Sequence, residues 1–146
     1  MTNESPRPRG ARARALHRGA ATLLALTMLL QVGFGAGYIS GDYDSMDMHR
    51  LNARVMVVVG LLTFISALWL RRVGGPVRAV ATSAAMVVAL VLQMVLGVER
   101  VVAVHVTLGV LIASAVTLLV MRAWTMPVPT GARRPAVTGR ASEPVS

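Results

Sequence analysis

The sequence has no cysteine and no lysine among its 146 residues, and only 4% of them are aromatic. The lack of cysteine excludes disulfides, thiolate-ligated metals and thiol catalysis. Charged residues make up only 14% of the chain, whereas 55% is hydrophobic, a balance that is rare in soluble domains of this length. The apolar residues are mainly Val, Leu, Ala and Met, and this composition favours helices packed in lipid.

Long apolar stretches account for most of the chain, and each has about the length that a helix rising about 1.5 Å per residue needs to cross a hydrocarbon core of about 30 Å. A tight turn must separate the last two stretches, because a single helix of their combined length would be far too long for a bilayer. The sequence therefore predicts an all-α, four-transmembrane-helix bundle with helices at about 20–39, 51–70, 77–98 and 101–121.

The first stretch follows a basic segment, as in a signal peptide. Its apolar run is long, however, it contains Gln31, and the following "GFGAGYIS" is a poor cleavage site. We therefore expect this helix to be retained.

Arginine placement predicts the orientation of the bundle. All 15 basic residues are arginines, and most of them precede the first helix, lie between the second and third, or follow the fourth. The positive-inside rule places that side, with both chain termini, in the cytoplasm, and hence the protein in the cell membrane. The net charge of +9 is then explained by topology and by attraction to anionic lipid, without nucleic-acid binding. We expect disordered cytoplasmic tails at 1–17 and 125–146, flanking the four-helix domain at 18–124.

A short repeat divides the chain into two hairpins. "LLQVGFG" in the first helix and "VLQMVLG" in the third both place a glycine four residues after a glutamine, at Gln31 and Gln93. Each segment is followed by an outer loop and then a histidine, His49 or His105. The pattern predicts two parallel-repeated helix hairpins, an arrangement that can hold a site between the halves. Gln31 and Gln93 themselves we interpret as interhelical hydrogen-bonding residues.

His49 and His105 are the candidate metal ligands. Both lie near the outer start of a helix that runs inward, so they are expected at a similar depth. Opposed histidines of a helix bundle can ligate haem b axially. Helical spacing predicts an inward stripe on each of these helices: the second helix has His49, Asn52, Ala53, Met56 and Gly60, and the fourth has His105, Gly109 and Ile112. Gly60 and Gly109 in these stripes would leave room for a flat macrocycle. Arginines at the outer end would pair with its propionates. The candidate cofactor-binding residues are thus His49, His105, Arg50, Arg54, Arg100 and Gly109.

Other interpretations remain open at the level of sequence. Histidine and arginine at a helix start are also found as simple interfacial residues, and His17 is expected to be solvated in the basic tail. The segment "DYDSMDMH", residues 42–49, offers carboxylate, thioether and imidazole groups for copper, provided that it is extended. No nucleophile–base pair, buried carboxylate pair or phosphate-binding loop is visible, which argues against an enzyme. The alternative to haem binding is a cofactor-free membrane scaffold or an accessory subunit of a membrane complex.

The motifs "LLQVGFGAG", "MHRLNARVM" and "AVHVTLGVLI" resemble those of small four-helix bacterial membrane proteins with an LHR…LG and an LHP…NG signature. The likeness covers about residues 18–124, although Val106 and Thr107 replace the usual residues after the second histidine. The arrangement is also similar to one half of haem A synthase. That resemblance implies a four-helix bundle whose second and fourth helices each supply a histidine, here His49 and His105, to a b-type haem or substrate haem.

Departures from haem A synthase limit what the resemblance implies. The synthase has eight helices, a glutamate three residues before its first histidine, where Met46 stands here, and in many members a cysteine pair. We therefore expect electron transfer with a redox partner, or haem handling, rather than synthase activity. A homodimer would restore eight helices, and native mass spectrometry of the purified protein would test it, since a strict monomer contradicts it.

Overall fold

The computed structural model describes residues 7–126, which form four long helices joined by short connections. No strand occurs within these residues. The predicted all-α four-helix fold is confirmed, and each helix is long and apolar enough to cross a membrane. The chain is thus a multi-pass membrane protein built for a lipid bilayer. The helices are α1 Arg7–Ile39, α2 Ser45–Arg72, α3 Val77–Val98 and α4 Val102–Thr125.

Neighbouring helices pack in a ring in which α1 touches α2 and α4, and α3 touches the same two helices. The parallel helices α2 and α4 therefore face each other across the diagonal of the bundle. One end of the bundle contains the loop 40–44 and the turn 99–101, and we call it the histidine end. The opposite end, where α1 starts, α2 joins α3 and α4 finishes, carries most of the described arginines, and we call it the arginine end.

The core repeats the two hairpins residue by residue. When Gln31 is aligned with Gln93 and His49 with His105, Leu24 corresponds to Met86, Met28 to Leu90, and Met56 to Ile112. All six of these apolar residues belong to a single buried cluster at the centre of the bundle. Corresponding positions of the two hairpins thus meet in one core, and the predicted repeat describes how the bundle packs. The cluster consists of Leu24, Met28, Met56, Val59, Met86, Leu90, Ile112 and Val116.

Three helices end in the same hydrogen-bonded motif. After α1, α2 and α3 the chain turns through a residue with positive φ, and the next amide donates to a carbonyl five residues back, as in a Schellman motif. The first two turns use glycine, Gly41 with φ 97° and Gly74 with φ 91°, because glycine has no Cβ to clash there. The third uses Arg100, with φ 57°. Its closing hydrogen bond runs from Val101 N to Leu96 O, at 3.0 Å.

The predicted N-terminal tail at 1–17 is wrong for residues 7–17, which form the first turns of α1. Arginine and alanine are both good helix formers, and the low hydropathy of this segment hid its helical character. Arg18, just beyond it, ties α1 to the end of α4. Its Nε donates to Ala123 O at 3.0 Å and its guanidinium lies 5.4 Å from the Trp124 ring centre. Residues 1–6 and 127–146 of the two predicted tails lie outside the described residues.

The sequence predicted a solvated His17, but the structure buries this residue, of which only 2% of the surface is exposed. The Ser66 hydroxyl donates to Thr63 O at 2.7 Å, so its oxygen accepts from His17 Nδ1 at 3.0 Å. The sequence did contain a signal for this burial. Ala13, His17, Ala21, Leu24 and Met28 follow one another at spacings of three and four residues, which is typical of one buried helix face.

Replacing Ser66 with alanine is expected to destabilise the bundle by about 1–2 kcal/mol, because an interhelical hydrogen bond is lost within the packed protein. Thermal unfolding in detergent, followed by circular dichroism, measures the effect. Ser114→Ala is the matched control, since the exposed Ser114 hydroxyl bonds only to Val110 O of its own helix. Equal unfolding temperatures for the two variants would contradict a stabilising role of the His17–Ser66 bond.

Candidate functional site

His49 and His105 meet at the histidine end of the bundle. Their ring centres are 6.2 Å apart and the ring planes are inclined by 58°. Each ring is half-buried and lies within the first two turns of its helix, α2 or α4. The expectation that the two imidazoles converge at a similar depth is therefore confirmed by the geometry.

The two histidines are held in the same way, each by the preceding helix of its own hairpin. His49 Nδ1 lies 3.1 Å from Gln31 O, and His105 Nδ1 lies 3.0 Å from Gln93 O. A carbonyl oxygen can only accept a hydrogen bond, so Nδ1 carries the proton in both rings. In the neutral imidazole Nε2 then keeps its lone pair, and neither Nε2 has a hydrogen-bond partner within residues 7–126. This is the tautomer that metal-ligating histidines show when a backbone carbonyl orients them.

Glycine makes room for each ring. A Cβ at Gly35 would lie 3.5 Å from both Cε1 and Nδ1 of His49. A Cβ at Gly97 would lie closer to its ring, 3.1 Å from Cε1 and 3.3 Å from Nδ1 of His105. The repeated glycine four residues after each glutamine thus lets the imidazole approach the helix backbone that holds it.

Alanine substitutions at these two glycines are expected to affect stability differently. Gly35→Ala should stabilise the fold by about 0.5–1 kcal/mol, because alanine favours the helix interior. Gly97→Ala should lose that gain, because the His105 ring must shift away from the new methyl group and its hydrogen bond to Gln93 O is strained. Unfolding temperatures, together with the imidazole ¹⁵N shifts of the two variants, measure the difference. A larger shift change at His49 in Gly35→Ala than at His105 in Gly97→Ala would contradict this expectation.

The glutamine side chains form the expected interhelical hydrogen bonds, but they differ between the hairpins. Gln31 Oε1 accepts a hydrogen bond from Asn52 Nδ2 at 2.7 Å, and Asn52 Nδ2 also donates to Thr27 O at 2.8 Å. Leu108 occupies the position of Asn52 in the second hairpin and cannot donate. Gln93 Nε2 instead donates to His105 O at 2.7 Å, and Gln93 Oε1 is buried with no partner among the described residues.

The glycines on the histidine-bearing faces do not border an open slot. A Cβ at Gly60 would lie 2.8 Å from Leu90 Cδ1, so the space beside this residue is filled by leucine. A Cβ at Gly109 would lie 3.0 Å from Gln93 Nε2. Gly109 therefore packs against the amide of Gln93, and this amide donates a hydrogen bond to His105 O. The inward direction of both stripes is as expected, since Asn52, Met56 and Ile112 are buried.

The three arginines proposed for the outer end are all exposed. Arg50 pairs with Asp47 at 3.3 Å on the outer surface of α2, and this pair is largely solvated. Arg50 and Arg54 lie one turn apart on a face that differs from the one bearing His49. Arg100 is different, because it lies in the turn that joins the two helices of the second hairpin and has a left-handed backbone.

The copper hypothesis for residues 42–49 does not fit the structure. It requires an extended segment, whereas α2 begins at Ser45 and includes Met46 and Met48. Side chains two residues apart on a helix point in different directions. In addition, the His49 ring faces Gly35 and Gln31 of α1. No group of three or more His, Cys, Asp or Glu side chains with metal-binding geometry occurs within residues 7–126.

No family model, curated protein or solved structure matches the chain.

Proposed function

We propose that the protein is a membrane b-type haem protein in which His49 and His105 are the two axial ligands. The observation that carries the proposal is the separation of the rings. Two imidazoles whose Nε2 atoms faced one metal ion from opposite sides, with bonds of about 2.0 Å, would have ring centres about 6.3 Å apart. The observed distance is 6.2 Å.

The donor set favours haem over a bare metal ion. Structural zinc and similar ions take about four protein ligands, whereas the described residues bring only two imidazoles together here. A porphyrin supplies four nitrogens to its iron and needs from the protein only the two axial positions. The Nδ1–H bonds to Gln31 O and Gln93 O supply the outer-shell orientation that such ligands require.

Arg100 is the best candidate to pair with a propionate. The corresponding position in the other two Schellman turns is glycine, whereas Arg100 holds a left-handed backbone that disfavours side chains. Unfavourable backbone at a non-glycine residue is often found at functional sites. Arg50 and Arg54 lie on a face of α2 that does not bear His49, so they would contribute only by extending their long side chains toward the membrane boundary.

Haem supplies reversible one-electron transfer. Held by both His49 and His105, it would serve electron transfer or haem handling rather than ligand chemistry. The arginine end would face the cytoplasm by the positive-inside rule, and the histidine pair would then lie near the outer surface of the cell membrane. A redox partner would accordingly dock at the histidine end.

A reduced-minus-oxidised absorption spectrum of the detergent-purified protein tests the proposal. We expect the sharp pair of bands that low-spin haem with two imidazole ligands produces. Titration with haemin should saturate at one equivalent per chain. A protein that stays colourless after haem supplementation would contradict the proposal and would leave a cofactor-free scaffold or accessory subunit as the function to pursue.

A further inference from the structure

A groove opens between α3 and α4 and runs from the arginine end to just past the middle of the bundle. Its volume is about 310 Å³, and its walls are mainly apolar. This volume is at the lower end of the range, about 300–1,000 Å³, that binding sites for small molecules occupy. His17 lies at its floor, while Arg78 and Arg122 line it from the start of α3 and the end of α4.

The repeat accounts for the place of this groove in the second hairpin. Alanines at 85, 89 and 115 line it. In the alignment of the two hairpins these positions correspond to Leu23, Thr27 and Val59 of α1 and α2. Three larger side chains are thus replaced by methyl groups on the second pair of helices, and the space between α3 and α4 is left unfilled. The groove opens to the outside of the bundle, since the lining residues Ala85, Leu111 and Ala115 are exposed.

The two arginines are also specific to this hairpin. The residues that correspond to Arg78 and Arg122 in the first hairpin are Leu16 and Ser66. Both arginines are exposed, and neither has an ion pair within residues 7–126. The acidic residues of this part of the chain, Asp42, Asp44, Asp47 and Glu99, all lie at the opposite end. An apolar groove is complementary to an amphipathic anion when its polar end carries two guanidinium groups that have no acidic partner among the described residues.

We propose that this groove binds one anionic phospholipid, with an acyl chain along the alanines and the phosphate between Arg78 and Arg122. Guanidinium groups suit phosphate because they present a planar fork of donors. Both arginines lie in terminal turns of their helices, the level at which lipid headgroups meet a membrane-spanning helix. The proposal does not depend on haem, because neither His49 nor His105 lines the groove.

Native mass spectrometry of the full chain tests the proposal. The protein is reconstituted into bilayers of equal amounts of phosphatidylglycerol and phosphatidylethanolamine, re-extracted in mild detergent, and analysed for retained lipid. We expect one phosphatidylglycerol per chain. Arg78→Gln with Arg122→Gln should reduce its retention by about fivefold or more for each arginine. Arg71→Gln with Arg72→Gln is the matched control, because these arginines lie at the same end but do not line the groove, and it should retain the lipid.

A second arm tests the acyl-chain site independently of charge. Ala85→Leu with Ala115→Val introduces the residues of the first hairpin and should abolish lipid retention. Ala81→Leu, one turn away on the exposed face of α3, should not. Circular dichroism and a single elution peak identify folded variants in both arms. The proposal is overturned if both charge variants retain the lipid equally, if the filled groove still retains it, if phosphatidylethanolamine is held as well as phosphatidylglycerol, or if an isoprenoid quinone is retained instead.

Discussion

Replacing either His49 or His105 with alanine is expected to abolish the absorption bands of bound haem completely rather than by half. Both imidazoles are needed for low-spin ligation, and each is positioned by a separate carbonyl, Gln31 O or Gln93 O. In the proposed haem protein, removal of one histidine would leave the iron with a single protein ligand. Reduced-minus-oxidised spectra of each variant, with haem quantified after extraction, measure the loss. Added imidazole should restore part of the band pair by filling the vacated position.

His17→Ala is the matched control for these two variants. His17 is the remaining histidine of the chain and is more deeply buried than the other two. It lies at the other end of the bundle and forms a hydrogen bond with Ser66. Its replacement should lower stability and leave the haem spectrum unchanged. A haem band of normal intensity in either His49→Ala or His105→Ala would refute the assignment of axial ligands, as would its disappearance in a folded His17→Ala protein.

Much of the site could be predicted from sequence because its determinants are repeated. Gln31 with Gly35 and Gln93 with Gly97 mark equivalent turns of α1 and α3, and the following histidines occupy equivalent turns of α2 and α4. What the sequence did not reveal is that the glutamine backbones, and not the side chains, orient the imidazoles. Every residue has a backbone carbonyl, so residue type does not identify which carbonyl accepts the hydrogen bond from the imidazole. That carbonyl is determined by how closely the two helices pack.

The N-terminal part of α1 shows a different limit. Hydropathy places its start near residue 20, because five arginines precede the apolar run, whereas the helix begins at Arg7. Hydropathy reports how much of a segment lipid can cover, not where its backbone stops being helical. The spacing of Ala13, His17 and Ala21 carries the missing information, since it extends the buried face of α1 into the basic segment. Periodicity would therefore have identified His17 as an interior residue.

The arginines at the histidine end show that residue type alone does not predict which side chains face the site; the angular position on the helix is also needed. Arg50 follows His49 directly, and successive helical residues are about 100° apart, so the two side chains cannot face the same way. Arg50 accordingly pairs with Asp47 on the exposed surface. Arg100 stands outside that rule because it lies in a turn, where a left-handed backbone sets its direction. The helical stripe that identified Asn52 and Met56 as interior residues would have placed Arg50 and Arg54 on the outside.

Asn52→Leu is expected to destabilise the bundle by about 1–3 kcal/mol, because it removes two interhelical hydrogen bonds from a buried position. Asn52 Nδ2 donates to Thr27 O and to Gln31 Oε1, at 2.8 and 2.7 Å. After the substitution Gln31 Oε1 is left without a donor next to the carbonyl that orients His49. Unfolding in detergent should therefore occur at a lower temperature, and the His49 imidazole resonances should broaden as its supporting helix becomes less ordered.

Leu108→Asn provides the matched change in the other hairpin, because Leu108 occupies the position equivalent to Asn52. Gln93 Oε1 is buried there without a partner among the described residues, and an asparagine at this position can donate to it. We expect this variant to be as stable as the native protein or more stable, although it places an amide beside the apolar core that Leu108 contacts. The two substitutions are chemically opposite, and their effects should be opposite in sign. If Asn52→Leu retained full stability while Leu108→Asn lost it, apolar packing rather than hydrogen bonding would determine which residue this layer of the bundle requires.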